Sequence, residues 1–186
     1  MSTPSEPEIP AAPFAVKWGL LAGVVSVGVA VDQLTKAWAD EHLSDRSVVR
    51  LVDGFVELRY ARNPGAFFSM GGDLEPDLRR ALFVIVSGIA SVLITRLYLK
   101  ADPAQRALRV GLSLLLAGAV GNLIDRVRSG EVIDFVHMYW RGVFDWATYN
   151  IADVLLVAGV ACLVVDLLTA RAAPGSSSPT PNEADA

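Results

Sequence analysis

Four long apolar runs, separated by polar loops, constrain this chain more than any other feature. They are Phe14–Val31, Ala81–Leu99, Leu108–Ile124 and Ile151–Ala170. Each approaches or reaches the roughly 17–25 residues that carry a helix across a bilayer. A hydrophobic share of 53% is too high for an ordinary soluble domain, and the length suits one domain. The expectation is a mainly α membrane protein: four transmembrane helices within residues 14–171, with disordered tails at 1–13 and 172–186. Both tails are rich in Pro, Ser and acidic residues and cannot bury a core. The first tail lacks the basic segment of a secretory signal, so the first run reads as a retained helix.

Composition removes several function classes. A net charge of −4 does not point to nucleic acid as a partner. The single cysteine, Cys162, lies inside the fourth run and reads as a small buried apolar residue. His42 and His137 are isolated from each other and from Cys162, which argues against a zinc site.

Between the spans the period changes. VVRLV, the turn pair Asp53-Gly54 and the alternating FVELRY predict a β-hairpin within a β-element at about residues 47–70. Asn63-Pro64-Gly65 fits a tight turn and is followed by Phe67 and Phe68. Later, Val132–Val136 reads as a short extended piece, and HMYWRGVFDW, with Tyr139, Trp140, Phe144 and Trp146, as an interfacial segment. Trp18 and Trp38 suit interfacial anchors at opposite ends of the first helix.

Orientation does not follow from charge. Arg96, Lys100, Arg106 and Arg109 crowd one short loop, as cytoplasmic loops do, but more basic residues lie on the opposite side.

Ionisable side chains are costly inside apolar runs, about 2.5–3.5 kcal/mol each at a span's centre and less near its ends. Here they collect at the ends. Asp32 and Lys36 are spaced i,i+4 as an ion pair, or as a solvated helix end. Asp125 closes the third helix, Asp153 opens the fourth, and Asp134 lies in the connection. Asn122 with Asp125, and Asn150 with Asp153, are i,i+3 pairs sharing a face. Four spans bring all of these, with Asn63, to one side of the membrane. Two carboxylates in one site push one pKa upward and can hold a water between a base and an acid, as in aspartic proteolysis. Carboxylates in a helical bundle also serve proton-coupled transport, and spacing alone leaves both readings open.

The ordered motifs DQLTK, NPGAFF, GNLIDR, VIDF and NIAD, from about Val31 to Val154, resemble the lipoprotein signal peptidase (signal peptidase II) family. The resemblance implies a bacterial cytoplasmic-membrane aspartic endopeptidase without metal or cofactor. Its substrates would be prolipoproteins, cleaved just before a diacylglyceryl-modified cysteine, in contact with membrane lipid. The family's catalytic pair falls on Asp134 and Asp153. Asp32, Lys36, Asn63, Gly65, Asn122, Asp125, Arg126 and Asn150 match its supporting or substrate-binding positions, and Tyr149 stands where the family commonly has Phe. The family topology implies both termini inside and the active site at the outer face.

Overall fold

A computed structural model describes residues 14–65 and 75–172. Phe67, Phe68 and the expected tails up to Pro13 and beyond Ala172 lie outside the described residues. The elements are α1 (Phe14–Leu43), β1 (Val49–Val52), β2 (Val56–Asn63), α2 (Pro76–Lys100), α3 (Arg106–Ser129), β3 (Val132–Trp140), β4 (Phe144–Asp145) and α4 (Ile151–Ala172).

All four helices are long and apolar enough to cross a membrane. Their exposed faces carry Val27, Leu82, Ile85, Ile89, Leu93, Val157 and Leu168, side chains suited to lipid rather than water. Helix α1 continues past its apolar run for 30 residues in all. At 1.5 Å per residue this is about 45 Å, against a hydrocarbon core of about 30 Å. Its last turns therefore stand clear of the span, as a post for the sheet.

Helix α3 packs against all three other helices and, among the described residues, buries the most of any. Small residues let α4 approach it. A Cβ on Gly118 would lie 2.8 Å from Leu156 Cγ, and one on Gly159 would lie 2.8 Å from the Gly111 carbonyl oxygen. Close backbone approach through small residues is how helices associate where lipid removes the hydrophobic drive. Where Asp125 was expected to close the helix, α3 runs on one turn to Ser129, because RVRS is helix-compatible. It stops at Gly130, whose φ of 80° is the left-handed conformation that glycine adopts freely.

The two extramembrane segments form one sheet. Strands β1-β2-β3-β4 pair in that order, all antiparallel. The expected short piece at Val132–Val136 is the first half of a nine-residue strand, and the expected interfacial segment supplies its second half and β4. VIDFVHMYW lacks polar/apolar alternation because both faces of β3 are covered near its start. Phe135 joins Ala39 and Leu43 of α1 in a buried cluster, with Leu58, Tyr60, Val136 and Ile151 against it. This cluster fastens the sheet to α1 and to the start of α4.

Candidate active site

The site grows from the first turn of α4. A helix start leaves four N–H groups without intrahelical partners, and three residues supply acceptors here. Asp153 N–H donates to Asn150 Oδ1 at 3.1 Å, and Asn150 N–H donates to Asp153 Oδ2 at 3.2 Å. This reciprocal pair is a capping box. Ala152 N–H donates to Asp32 Oδ1 of α1 at 2.8 Å. Just upstream, Tyr149 is held on β3 by hydrogen bonds in both directions with Val136, each 2.9 Å, and by Phe135 N–H at 3.0 Å. These bonds set Asn150 beside the strand that carries Asp134.

Successive side chains on a strand point to opposite faces. With Phe135 turned into the buried cluster, Asp134 turns the other way. Its Oδ1 accepts from Asn150 Nδ2 at 2.6 Å and its Oδ2 from Asn63 Nδ2 at 3.0 Å. Asn63 is in turn oriented by Gly65, whose N–H donates to its Oδ1 at 3.1 Å. Asp134 is 3% exposed. Burial pushes its pKa up to about 6, the nearby Asp153 charge adds to the rise, and the asparagine donors oppose it. The second carboxylate reaches the same hub from the other side. Asn122 Nδ2 donates to Asp153 Oδ1 at 2.9 Å, while Asn150 Nδ2 also lies 3.2 Å from Asn122 Oδ1. Asn150 thus touches both carboxylates, through its side-chain amide on Asp134 and its backbone N–H on Asp153.

Behind this hub lies a second pair of acids sharing one cation. Lys36 Nζ is 2.9 Å from Asp32 and 2.7 Å from Asp125, and donates to Asn122 Oδ1 at 2.9 Å. Its three N–H donors match three acceptors. The Asp32–Lys36 ion pair expected from spacing is therefore present, and it is buried rather than solvated. Gly121 makes room for it: a Cβ there would lie 2.6 Å from Asp32 Oδ2. Asn122 and Asp125 meet at Lys36 rather than at each other.

Every expected site residue takes part in this region. Arg126 stands at its edge, donating to the Asn122 carbonyl at 3.3 Å with its guanidinium over the Phe83 ring. The network connects all four carboxylates at one end of the bundle. Gln33 and Arg128 escaped the sequence reading. Gln33 Nε2 donates to Asp125 Oδ1 at 2.9 Å, and Arg128 donates to Gln33 Oε1 at 3.1 Å. The N-x-x-D spacing of Asn150 and Asp153 before an apolar run was a legible capping-box signal. Gln33 stood inside DQLTK without a role of its own, because an amide at a helix surface is ordinarily solvated. His137, isolated in sequence, sits buried between Glu57 of β2 and Asp145 of β4, at 3.2 and 2.9 Å. There it ties three strands together.

A family model for signal peptidase (SPase) II matches residues 24–169. The lipoprotein signal peptidase of Geobacter metallireducens is 41% identical over 145 residues, covering 78% of this chain and 88% of the relative. That of Syntrophus aciditrophicus is 37% identical over 155 residues, covering 82% and 96%. A solved bacterial membrane enzyme, obtained by the in meso method, superposes with a TM-score of 0.72 at 28% identity, over 87% of this chain and 95% of that one. Four spans, one small sheet and a carboxylate-rich end thus coincide with a family match over most of the molecule, and the chain belongs to the signal peptidase II family.

Proposed function

We propose that Asp134 and Asp153 are the catalytic dyad with which this signal peptidase II removes signal peptides from prolipoproteins, cutting just before a diacylglyceryl-modified cysteine. The reaction takes place at the outer face of the bacterial cytoplasmic membrane, with both termini cytoplasmic. One observation carries the dyad: Asn150 bonds to both carboxylates and sets them about a common point at the start of α4.

In this reading Asp153, ionised, takes a proton from a water whose oxygen attacks the scissile carbonyl carbon. Asp134, protonated, gives its proton to the carbonyl oxygen, producing a tetrahedral gem-diol. Collapse re-forms the carbonyl and breaks the C–N bond, while the proton now on Asp153 moves to the departing amine. The proton released by the diol hydroxyl returns to Asp134. A general acid works best with a pKa near the working pH, and Asp134 at about 6 meets that condition. Arg126, at the site's edge, offers guanidinium donors to the substrate backbone.

Lipid on the substrate cysteine accounts for much of its binding, since each buried CH₂ contributes about 0.8 kcal/mol. Trp140, Val143, Phe144 and Trp146, exposed at the far end of the sheet, suit a membrane–water interface. The test uses proteoliposomes holding the enzyme in one orientation, with a prolipoprotein added from one side in diacylglyceryl or unmodified form. The lipidated form is cleaved from the sheet side, and the unmodified form at least about 100-fold less efficiently in kcat/KM, as loss of several buried CH₂ groups implies. Equal efficiency makes the lipid a bystander, and cleavage from the α2–α3 loop side overturns the placement of the site.

A further inference from the structure

We propose that Gln33 and Arg128 are positioning residues for the dyad. Arg128 orients the Gln33 amide, which holds the second carboxylate of the Asp32–Lys36–Asp125 group so that Lys36 stays on Asn122. The inference rests on the dyad reading and extends it to Gln33, a position inside DQLTK to which the resemblance assigned no role, and to Arg128, two residues beyond GNLIDR.

The argument starts from charge. Two buried carboxylates share one ammonium, with side chains 0%, 7% and 2% exposed for Asp32, Asp125 and Lys36. An uncompensated buried charge is costly, and further donors must offset it. Gln33 Nε2 supplies them, lying 2.9 Å from Asp125 Oδ1, 3.2 Å from Asp32 Oδ2 and 3.2 Å from the Gly121 carbonyl. Only the NH₂ end suits that position, because a flipped amide would set its oxygen against three acceptors. Arg128 NH1 donates to Gln33 Oε1 and opposes the flip. Its cation thereby acts on the buried acids through one amide.

The sequence spacing serves this arrangement. Gly121, Asp125 and Arg128 fall at i, i+4 and i+7 on one face of α3, opposite Asp32, Gln33 and Lys36 of α1. Downstream, Lys36 fixes Asn122, whose amide then points Nδ2 at Asp153. A cavity of about 270 Å³ opens outside the group, lined by Gln33, Lys36, Asp125 and Arg128, with Asp40 and Arg62. Loss of the Gln33 amide lets water from this cavity compete for Lys36 and frees Asn122 to turn.

The test compares Gln33→Leu, Gln33→Glu and Arg128→Gln in the full-length enzyme with lipidated prolipoprotein. Gln33→Leu lowers kcat about 10–100-fold, the effect of losing a hydrogen bond to a charged group, with KM within about twofold. Gln33→Glu is as poor at pH 8 but gains on the wild type as pH falls. A protonated carboxyl again presents a donor to Asp125 and an acceptor to Arg128. The other ionisable groups facing this position, Asp32, Lys36, Asp40, Arg62, Asp125 and Arg128, are common to both proteins, so the activity ratio isolates the new carboxyl. Arg128→Gln falls between, and adding it to Gln33→Leu costs little more.

A merely structural Gln33 would lower melting temperature and yield but leave kcat per folded molecule, and the pH trend of the ratio, unchanged. Unchanged kcat, a loss confined to KM, or a flat ratio overturns the proposal. Asp134→Asn assayed alongside separates the two levels. If it keeps turnover, the dyad reading itself fails. If it is inactive while the Gln33 variants are normal, only the positioning role falls.

Discussion

Two pairs of aspartates lie side by side at one end of this bundle, and they differ in what holds them. Asp32 and Asp125 close on Lys36, a full positive charge within 3 Å of each. Asp134 and Asp153 are bonded instead by amides, from Asn63, Asn122 and Asn150. An amide donor satisfies a lone pair but cancels no charge, so desolvation, and with it repulsion from Asp153, still acts on Asp134. Asp134 accordingly sits at about 6 and can gain or lose a proton near neutral pH. The same residue type, on the other side of Asn122, is paired instead with one lysine. Partner chemistry, amides against a lysine, separates the proposed catalytic pair from its neighbour.

The strongest way to break this contrast is to remove a carboxylate from the amide-held pair. Asp134→Asn and Asp153→Asn each lower turnover by at least about 1,000-fold, since an amide cannot exchange the proton. Both variants remain folded in detergent. Near-normal turnover in either would mean that the amide-held pair is not the reacting one.

The lysine-held pair should fail in a different currency. Lys36→Met leaves two buried carboxylates facing each other without a cation, and breaking a buried ion pair from one side costs about 3–5 kcal/mol. Chemical denaturation in detergent should show that loss directly. A Lys36→Met protein as stable as the wild type would show that the cation is dispensable, and the distinction between the pairs would collapse.

How much of this was readable beforehand varies by kind of interaction. The four spans were legible because hydrophobic length is a one-dimensional signal, and the Asp32–Lys36 pair because i,i+4 spacing is local. The pairing of β2 with β3, which puts Ala61 opposite Asp134, joins residues far apart in sequence. Strand β3 also lacks the regular polar/apolar alternation that marks a half-buried strand. The family motifs pointed to Asp134 and Asp153 as the proposed dyad, whereas spacing alone left transport and proteolysis open. Gln33 lay within DQLTK, but its bonds to Asp125 and Arg128 depend on α3 lying against α1 at Gly121, a tertiary fact. His137 was hidden for the same reason, since its carboxylate partners come from strands on either side.

The smallest effect expected is also the one that separates the pairs most cleanly. Asp134 has a raised pKa in the folded protein, from 3.8 to about 6, so the fold binds its proton more tightly than the unfolded chain does. Stability therefore falls as pH rises from about 4 to about 6, and the cost of ionising this carboxyl is fully present above that range. At 1.36 kcal/mol per unit the shift corresponds to about 3 kcal/mol, an upper figure. Asp134→Asn removes the titration. Its NH₂ must then face Asn63 or Asn150, both of which donate to this position, and that mismatch costs about 1–3 kcal/mol. The two effects nearly cancel at neutral pH, so the net change in stability there is small and of either sign. Their pH dependence does not cancel, because the mismatch is independent of pH. The stability of Asp134→Asn relative to wild type should therefore rise between pH 4 and pH 7, measured by denaturant unfolding at each pH. In an Asp153→Asn background that rise should shrink, since part of the shift comes from the Asp153 charge. A difference that stays flat across this range would mean that Asp134 titrates as an ordinary carboxylate, and the amide-held pair would lose the property that sets it apart from the pair on Lys36.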